Sequence, residues 1–115
     1  MDLIRLVTET EIDKEKVDKV QALYEDQFPE FVQRFISFVG TTIFLDNDYR
    51  LLSYEEILNA EKELHVDFGN KQILPLIDCG ENDFISYGTH EDIWFTYNIV
   101  EDVKFRVRDN LEDLL

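Results

Sequence analysis

ILPLIDCGENDFISYGTHEDIWFTYNIVEDVKFRV, residues 73–107, is the stretch on which the fold turns. Three apolar runs rich in β-branched and aromatic side chains are separated by short loops of Gly, Asn, Asp, Glu and His, which predicts consecutive antiparallel strands. In the middle run Ile93, Phe95, Tyr97 and Ile99 fall on one face and Trp94, Thr96, Asn98 and Val100 on the other, because strand side chains alternate. Neither face is polar, so a central strand is expected. In the last run Val103, Phe105 and Val107 alternate with Lys104, Arg106 and Arg108, the pattern of a strand buried on one side only. That basic stripe marks either a dimer edge or an exposed strand face.

Working back toward the N-terminus, Ser53-Tyr54-Glu55-Glu56 has the spacing of a capping box, and Ile57, Leu58, Ala60, Glu61 and Leu64 predict one helix behind it, ended at Phe68-Gly69-Asn70. Thr41 to Leu45 and Tyr49 to Leu52 read as a hairpin closed by Asp46-Asn47-Asp48. Pro29 opens a helix whose Phe31, Val32, Phe35, Ile36 and Val39 form a core-facing stripe, and Gly40 suits a left-handed stop. An amphipathic helix carrying Val17, Val20, Leu23 and Tyr24 precedes it, with Thr10 as the expected cap and Asp13 in the first turn. Leu3 to Val7 fits either a strand or a loose lead-in. Behind the last strand, Asp109 is placed to cap a short helix that packs Leu111, Leu114 and Leu115 inward.

At 115 residues with 44% apolar side chains, the chain has material for one conventional core holding roughly two thirds of its unfolded surface. Cys79 is the single cysteine, inside an apolar run, where it acts as a small hydrophobe; a reducing cytoplasm fits. The opening MDLIRLVTETEID offers only a five-residue apolar run before acids begin, too short for a signal peptide or a membrane span. With 26 Asp and Glu against 11 Lys and Arg, the net charge is -15. Phosphate backbones and anionic membranes are bound by clustered cations, so neither is an expected partner. Charge of this size keeps a domain soluble, and it also accelerates encounter with a basic partner.

No residues assemble into a catalytic or metal-binding constellation, so an enzyme is not expected and no cofactor is implied. An EF-hand loop from Asp46 fails at Leu51 and Ile57, where Gly and Glu are required. His65 and His90 share no element with further ligands. Glu81 and Asp83 around Asn82 are better explained as turn formers than as a paired acid and base. Ser53, Ser86 and Cys79 lack a partner histidine at motif spacing. Loops at the ends of a sheet commonly carry binding, which makes Asp46, Asp48, Glu81, Asp83, His90, Glu91 and Asp92 the candidate partner contacts, with plain solvated turns as the other reading. Trp94 and Tyr97 would anchor a partner if exposed and serve the core if not.

The order of Phe28-Pro29, FVQRFISFVG (31–40), LLSYEEILNA (51–60), ILPLIDCGENDFISYG (73–88) and the tryptophan strand IWFTYNIV (93–100) resembles the SUKH superfamily. That group includes a fungal regulator of cell-wall synthesis, a bacterial protein of the Syd type and many small bacterial immunity proteins. Its apolar-Pro helix start, glycine-bearing turn, Gly-x-x-Asp turn and C-terminal helix correspond to Phe28-Pro29, Gly40, Gly80 to Asp83, and Asn110 to Leu115. The likeness spans residues 28–115; residues 1–27 are not distinctive, and the frequent Asn-Gly-Gly is reduced to Val39-Gly40. It implies one non-enzymatic α+β domain, a twisted antiparallel sheet packed against helices. It implies further an immunity protein that binds and neutralises a toxin effector, often a nuclease, or else an intracellular scaffold or regulatory adaptor like the fungal member; the charge adds that such a toxin would be basic, and the lone cysteine fits a cytoplasmic location.

Overall fold

In the computed structural model, which describes residues 2–115, a hairpin of β1 (Ile43–Phe44) and β2 (Arg50–Leu51) leads into four strands from the decisive stretch. These are β3 (Ile73–Gly80), β4 (Asp83–Gly88), β5 (Ile93–Asn98) and β6 (Val103–Arg108). The expected three runs are four strands because the first run folds back at Glu81 and Asn82, both in the left-handed region. The six strands lie in the order β1-β2-β3-β4-β5-β6, and every neighbour is antiparallel. Pro75 has no N–H to give the ladder, and the register of β3 shifts between Pro75 and Ile77, the local irregularity a central proline requires. Consecutive residues Ile73–Ile77, Phe84–Gly88 and Trp94–Tyr97 are buried, so the sheet centre is covered on both sides. The α+β architecture and the place of the tryptophan strand inside the sheet agree with the sequence.

The last strand departs from expectation. All six residues of β6 are exposed, with Val103, Phe105 and Val107 at 46, 37 and 48%. It is the outer edge of the sheet, and the left-handed Arg106 (φ 53°) sits where the register slips against β5, which breaks the alternation read from the sequence.

Six helices complete the fold: α1 (Leu3–Thr8), α2 (Lys14–Tyr24), α3 (Glu30–Phe38), α4 (Tyr54–Leu58), α5 (Ala60–Leu64) and α6 (Phe68–Lys71). The open N-terminal segment is helical, since Asp2 accepts from the Arg5 N–H at 3.1 Å and Leu3 and Val7, one turn apart, are buried. Asp13, not Thr10, caps α2, because its carboxylate accepts from the Lys16 N–H, whereas the Thr10 hydroxyl donates to the Leu6 carbonyl. Leu23 is 46% exposed and lies off the buried stripe. In α3 Val32, Phe35 and Ile36 are buried as the spacing requires. Gly40 is not left-handed: Val39 ends the helix in extended conformation, and the Lys16 ammonium donates to the carbonyls of Ser37 and Val39. The capping box forms as read, with Ser53 Oγ accepting from Glu56 N at 3.1 Å and Glu56 Oε1 from Ser53 N at 3.0 Å. Its single expected helix breaks at Asn59, and Phe68-Gly69-Asn70 adds a helical turn instead of ending one.

Gly69 is where α6 meets α2. A Cβ there would stand 2.9 Å from the Leu23 carbonyl oxygen, which is backbone and cannot give way. In an exposed helix Gly→Ala adds about 0.5–1 kcal/mol of stability. Here the clash reverses the sign, and Gly69→Ala is expected to cost roughly 1–3 kcal/mol in urea unfolding. A stabilised variant would show that the α2–α6 contact is loose. At the C-terminus a 3-10 turn (Leu111–Leu114) replaces the expected helix; Asn110 occupies its cap position without a side-chain bond, Leu111 and Leu114 are buried, and Leu115 is 41% exposed. The core is continuous from α1 to this turn, within a radius of gyration of 12.8 Å.

Candidate functional site

Consecutive antiparallel strands alternate direction, so the β1–β2, β3–β4 and β5–β6 turns share one end of the sheet. The β4–β5 turn and the segment after β6 share the other. The seven loop residues singled out in the sequence therefore divide into two groups. Asp46, Asp48, Glu81 and Asp83 lie at the first end and His90, Glu91 and Asp92 at the second. Asp83 is half-buried and its Oδ1 accepts from Asn98 Nδ2 at 2.8 Å, so it fixes the junction of two hairpins. Glu81 contributes its carbonyl to the same Asn98 amide, and Asp48 turns the first hairpin in left-handed conformation. Glu91 pairs with Lys104 at 3.8 Å, and His90 is exposed.

Asp92 lines a recess at its end, and Asp46 lines a separate one beside Leu3, Ile4 and Leu115. At the second end a cleft of about 390 Å³ opens between α1, the start of α3, the β4–β5 turn and the C-terminal 3-10 turn. Tyr87, Trp94 and Phe31 form its aromatic floor: Tyr87 and Trp94 rings lie 5.1 Å apart at 53°, and Phe31 meets Trp94 edge-on at 6.0 Å and 76°. Ile4, Pro29 and Val32 add apolar wall. Among the described residues three carboxylates, Asp92, Asp109 and Glu112, line the cleft, and no Lys or Arg does. Asp92 accepts from the Tyr87 hydroxyl at 2.7 Å, and Asp109 and Glu112 have no ion-pair partner among the described residues. Burial pushes the Tyr87 phenol far above its ordinary range, and the bond to Asp92 pushes it further, so the hydroxyl stays a donor at neutral pH and holds the β4–β5 turn in place.

Such a recess is suited to a cation on an apolar stem. Methylenes of a lysine or arginine would lie against Phe31 and Pro29 while the charged head meets the carboxylates. Among the described residues no three or more His, Cys, Asp or Glu side chains gather to hold a metal ion, so these acids are dispersed rather than converged on a point. Trp94 and Tyr97 belong to the core, at 5 and 1% exposure; Trp94 also lines the cleft. Cys79 is half-buried, and burial pushes its thiol up to about 11, which makes it inert at neutral pH.

Reading the sequence missed Phe31, Tyr87, Asp109 and Glu112 as neighbours of Asp92. One signal was present. Tyr87 and Asp92 recur ten residues later as Tyr97 and Asp102, and in both hairpins the phenol donates to the aspartate five residues on, which is left-handed. That repetition marks Asp92 as anchored rather than loose. No family model, curated protein or solved structure matches the chain. No helix among the described residues is long and apolar enough to cross a membrane.

Proposed function

We propose that this is a cytoplasmic immunity protein that binds and neutralises a basic toxin, of nuclease type, by seating a lysine or arginine of the toxin in the acidic cleft. The observation that carries the reading is a recess with three carboxylates, an aromatic floor and, among the described residues, no Lys or Arg. Two further facts support it. A net charge of -15 draws a basic protein inward, and a nuclease must present cations to hold phosphate. The order of motifs from Phe28-Pro29 to IWFTYNIV resembles the SUKH superfamily, whose small bacterial members are immunity proteins. No chemistry is required of the protein, because occupying the cationic surface of a nuclease already competes with nucleic acid.

The test is association with a basic toxin encoded beside the gene, followed by stopped-flow at 50 and 300 mM salt. The rate should fall at least about tenfold with salt. Asp109→Lys/Glu112→Lys should weaken binding by about 100-fold, on the scale of removing two charge-assisted contacts. Glu81→Lys, at the far end of the sheet, should change it by less than about threefold. A salt-independent rate, or a normal affinity in the cleft variant, sinks the reading. The second reading, a non-enzymatic scaffold or regulatory adaptor, is favoured by the fully exposed β6. Rescue from the neighbouring toxin with one-to-one copurification distinguishes the first reading from it.

A further inference from the structure

The edge strand β6 presents Val103, Phe105 and Val107 to solvent, and Val100 on the adjoining turn is 71% exposed. Its outer backbone ladder has no partner strand among the described residues. Exposed edges with apolar side chains are templates for strand addition, and proteins guard them with cations and bulges. Both guards are here: Lys104, Arg106 and Arg108 line the strand, and Arg106 occupies the left-handed bulge. The state of these cations is informative. In a chain with 26 carboxylates, nine of the eleven Lys and Arg are engaged by carboxylates or backbone carbonyls, Arg108 through the carbonyl of its neighbour Val107 at 2.8 Å. Lys16, Lys62, Arg106 and Arg108 have no carboxylate ion-pair partner among the described residues, and of these Arg106 and Arg108 stand together on one exposed strand.

We infer that β6 is a docking edge for an extended segment of another protein in which acidic residues alternate with apolar ones. Backbone hydrogen bonds would extend the sheet by one strand, apolar side chains would cover Val103 and Phe105, and carboxylates would pair with Arg106 and Arg108. In the register centred on Phe105, charge disfavours a second copy as the occupant. Antiparallel pairing of β6 with itself, centred on Phe105, sets Lys104 opposite Arg106 twice, and directly opposed like charges destabilise a sheet. The bulge confines pairing to a few residues, so the edge takes one short strand rather than seeding an open-ended stack.

The test uses the full chain and two acetylated, amidated nine-residue peptides, one alternating Glu with Val and one alternating Lys with Val, at 100 mM salt. The Glu peptide should bind at least about tenfold tighter than the Lys peptide and slow amide hydrogen exchange across Val103–Arg108. Arg106→Glu/Arg108→Glu, both at exposed positions, should invert the preference. Failure of the Glu peptide to bind, equal binding of both peptides, protection elsewhere, or sedimentation of the free protein as a dimer closed through β6 would each overturn the inference. Asp109→Lys/Glu112→Lys serves as the reference variant, because peptide binding at β6 should survive it while toxin binding at the cleft does not.

Discussion

Phe35→Ala is expected to lower unfolding free energy by about 3–5 kcal/mol, the usual cost of deleting a buried phenylalanine. Phe35 is fully buried in the middle of the α3 stripe, and its ring leans on Trp94 at 6.5 Å and 46°. Against a total of roughly 5–15 kcal/mol for a domain of this size, that is a large share, and the melting temperature should fall by about 10–20 °C. The consequence reaches the cleft, because Phe35 supports from beneath the indole that floors it. Phe31→Ala separates the two effects: that ring is partly exposed, so its removal should cost about 1–2 kcal/mol of stability while weakening partner binding at least as much. Urea denaturation of both variants, with toxin affinity measured beside it, checks the pair. A loss below about 1 kcal/mol for Phe35→Ala would mean that α3 closes over the gap and the core is softer than its packing implies.

Arg50→Met is expected to cost about 2 kcal/mol, less than the 3–5 of a fully buried pair because the groups involved keep partial access to water. The Arg50 guanidinium spans Glu56 at 2.8 and 2.9 Å and Asp78 at 3.0 Å, tying β2 to α4 and to β3, with all three side chains 26 to 28% exposed. Removing it leaves two carboxylates facing each other. The same site sets an acid dependence. Burial alone would raise the Glu56 carboxyl, but hydrogen bonds from Arg50 and Ser53 outweigh burial and hold it below its ordinary value of 4.5. A carboxyl depressed in the folded state contributes stability in full above its unfolded value, and that contribution is lost as pH falls through the native value. The wild type should therefore lose stability below about pH 4.5, and Arg50→Met should flatten that part of the curve. Glu56→Gln in the Arg50→Met background should recover part of the loss, since glutamine still caps α4. An unchanged acid limb would assign the dependence to other carboxylates.

Much of the fold could be read from residues that act locally. The Ser53 and Glu56 capping box, the Asp46-Asn47-Asp48 hairpin turn and the 3.6-residue stripe of α3 are each decided within a few positions, and each forms as read. What escaped was decided by distant contacts. Val103, Phe105 and Val107 alternate like a half-buried strand, yet their exposure depends on nothing lying beyond the sixth strand, which no local pattern encodes. Gly40 has a stop residue's composition, but Lys16, over twenty residues earlier, satisfies the terminal carbonyls instead. Asp109 and Glu112 had the spacing of a cap and became the wall of a recess, because burial of Leu111 and Leu114 fixes that turn against β5 and β6. The loop acids were legible as surface groups. Their division between two ends of the sheet follows from strand direction, so only Asp92 of the seven lines the cleft.

The strictly sequential order of the sheet carries one more consequence. Each of the last four strands finds its partner across a connection of two to four residues, so very little chain entropy is lost in bringing any of these pairs together. Only the join between β2 and β3 must wait, because 21 residues holding α4, α5 and α6 intervene. The molecule is thus organised as a self-zipping C-terminal ribbon onto which an N-terminal half is later fastened, and Arg50, bonded to Asp78 across that join, is the clasp between the two halves.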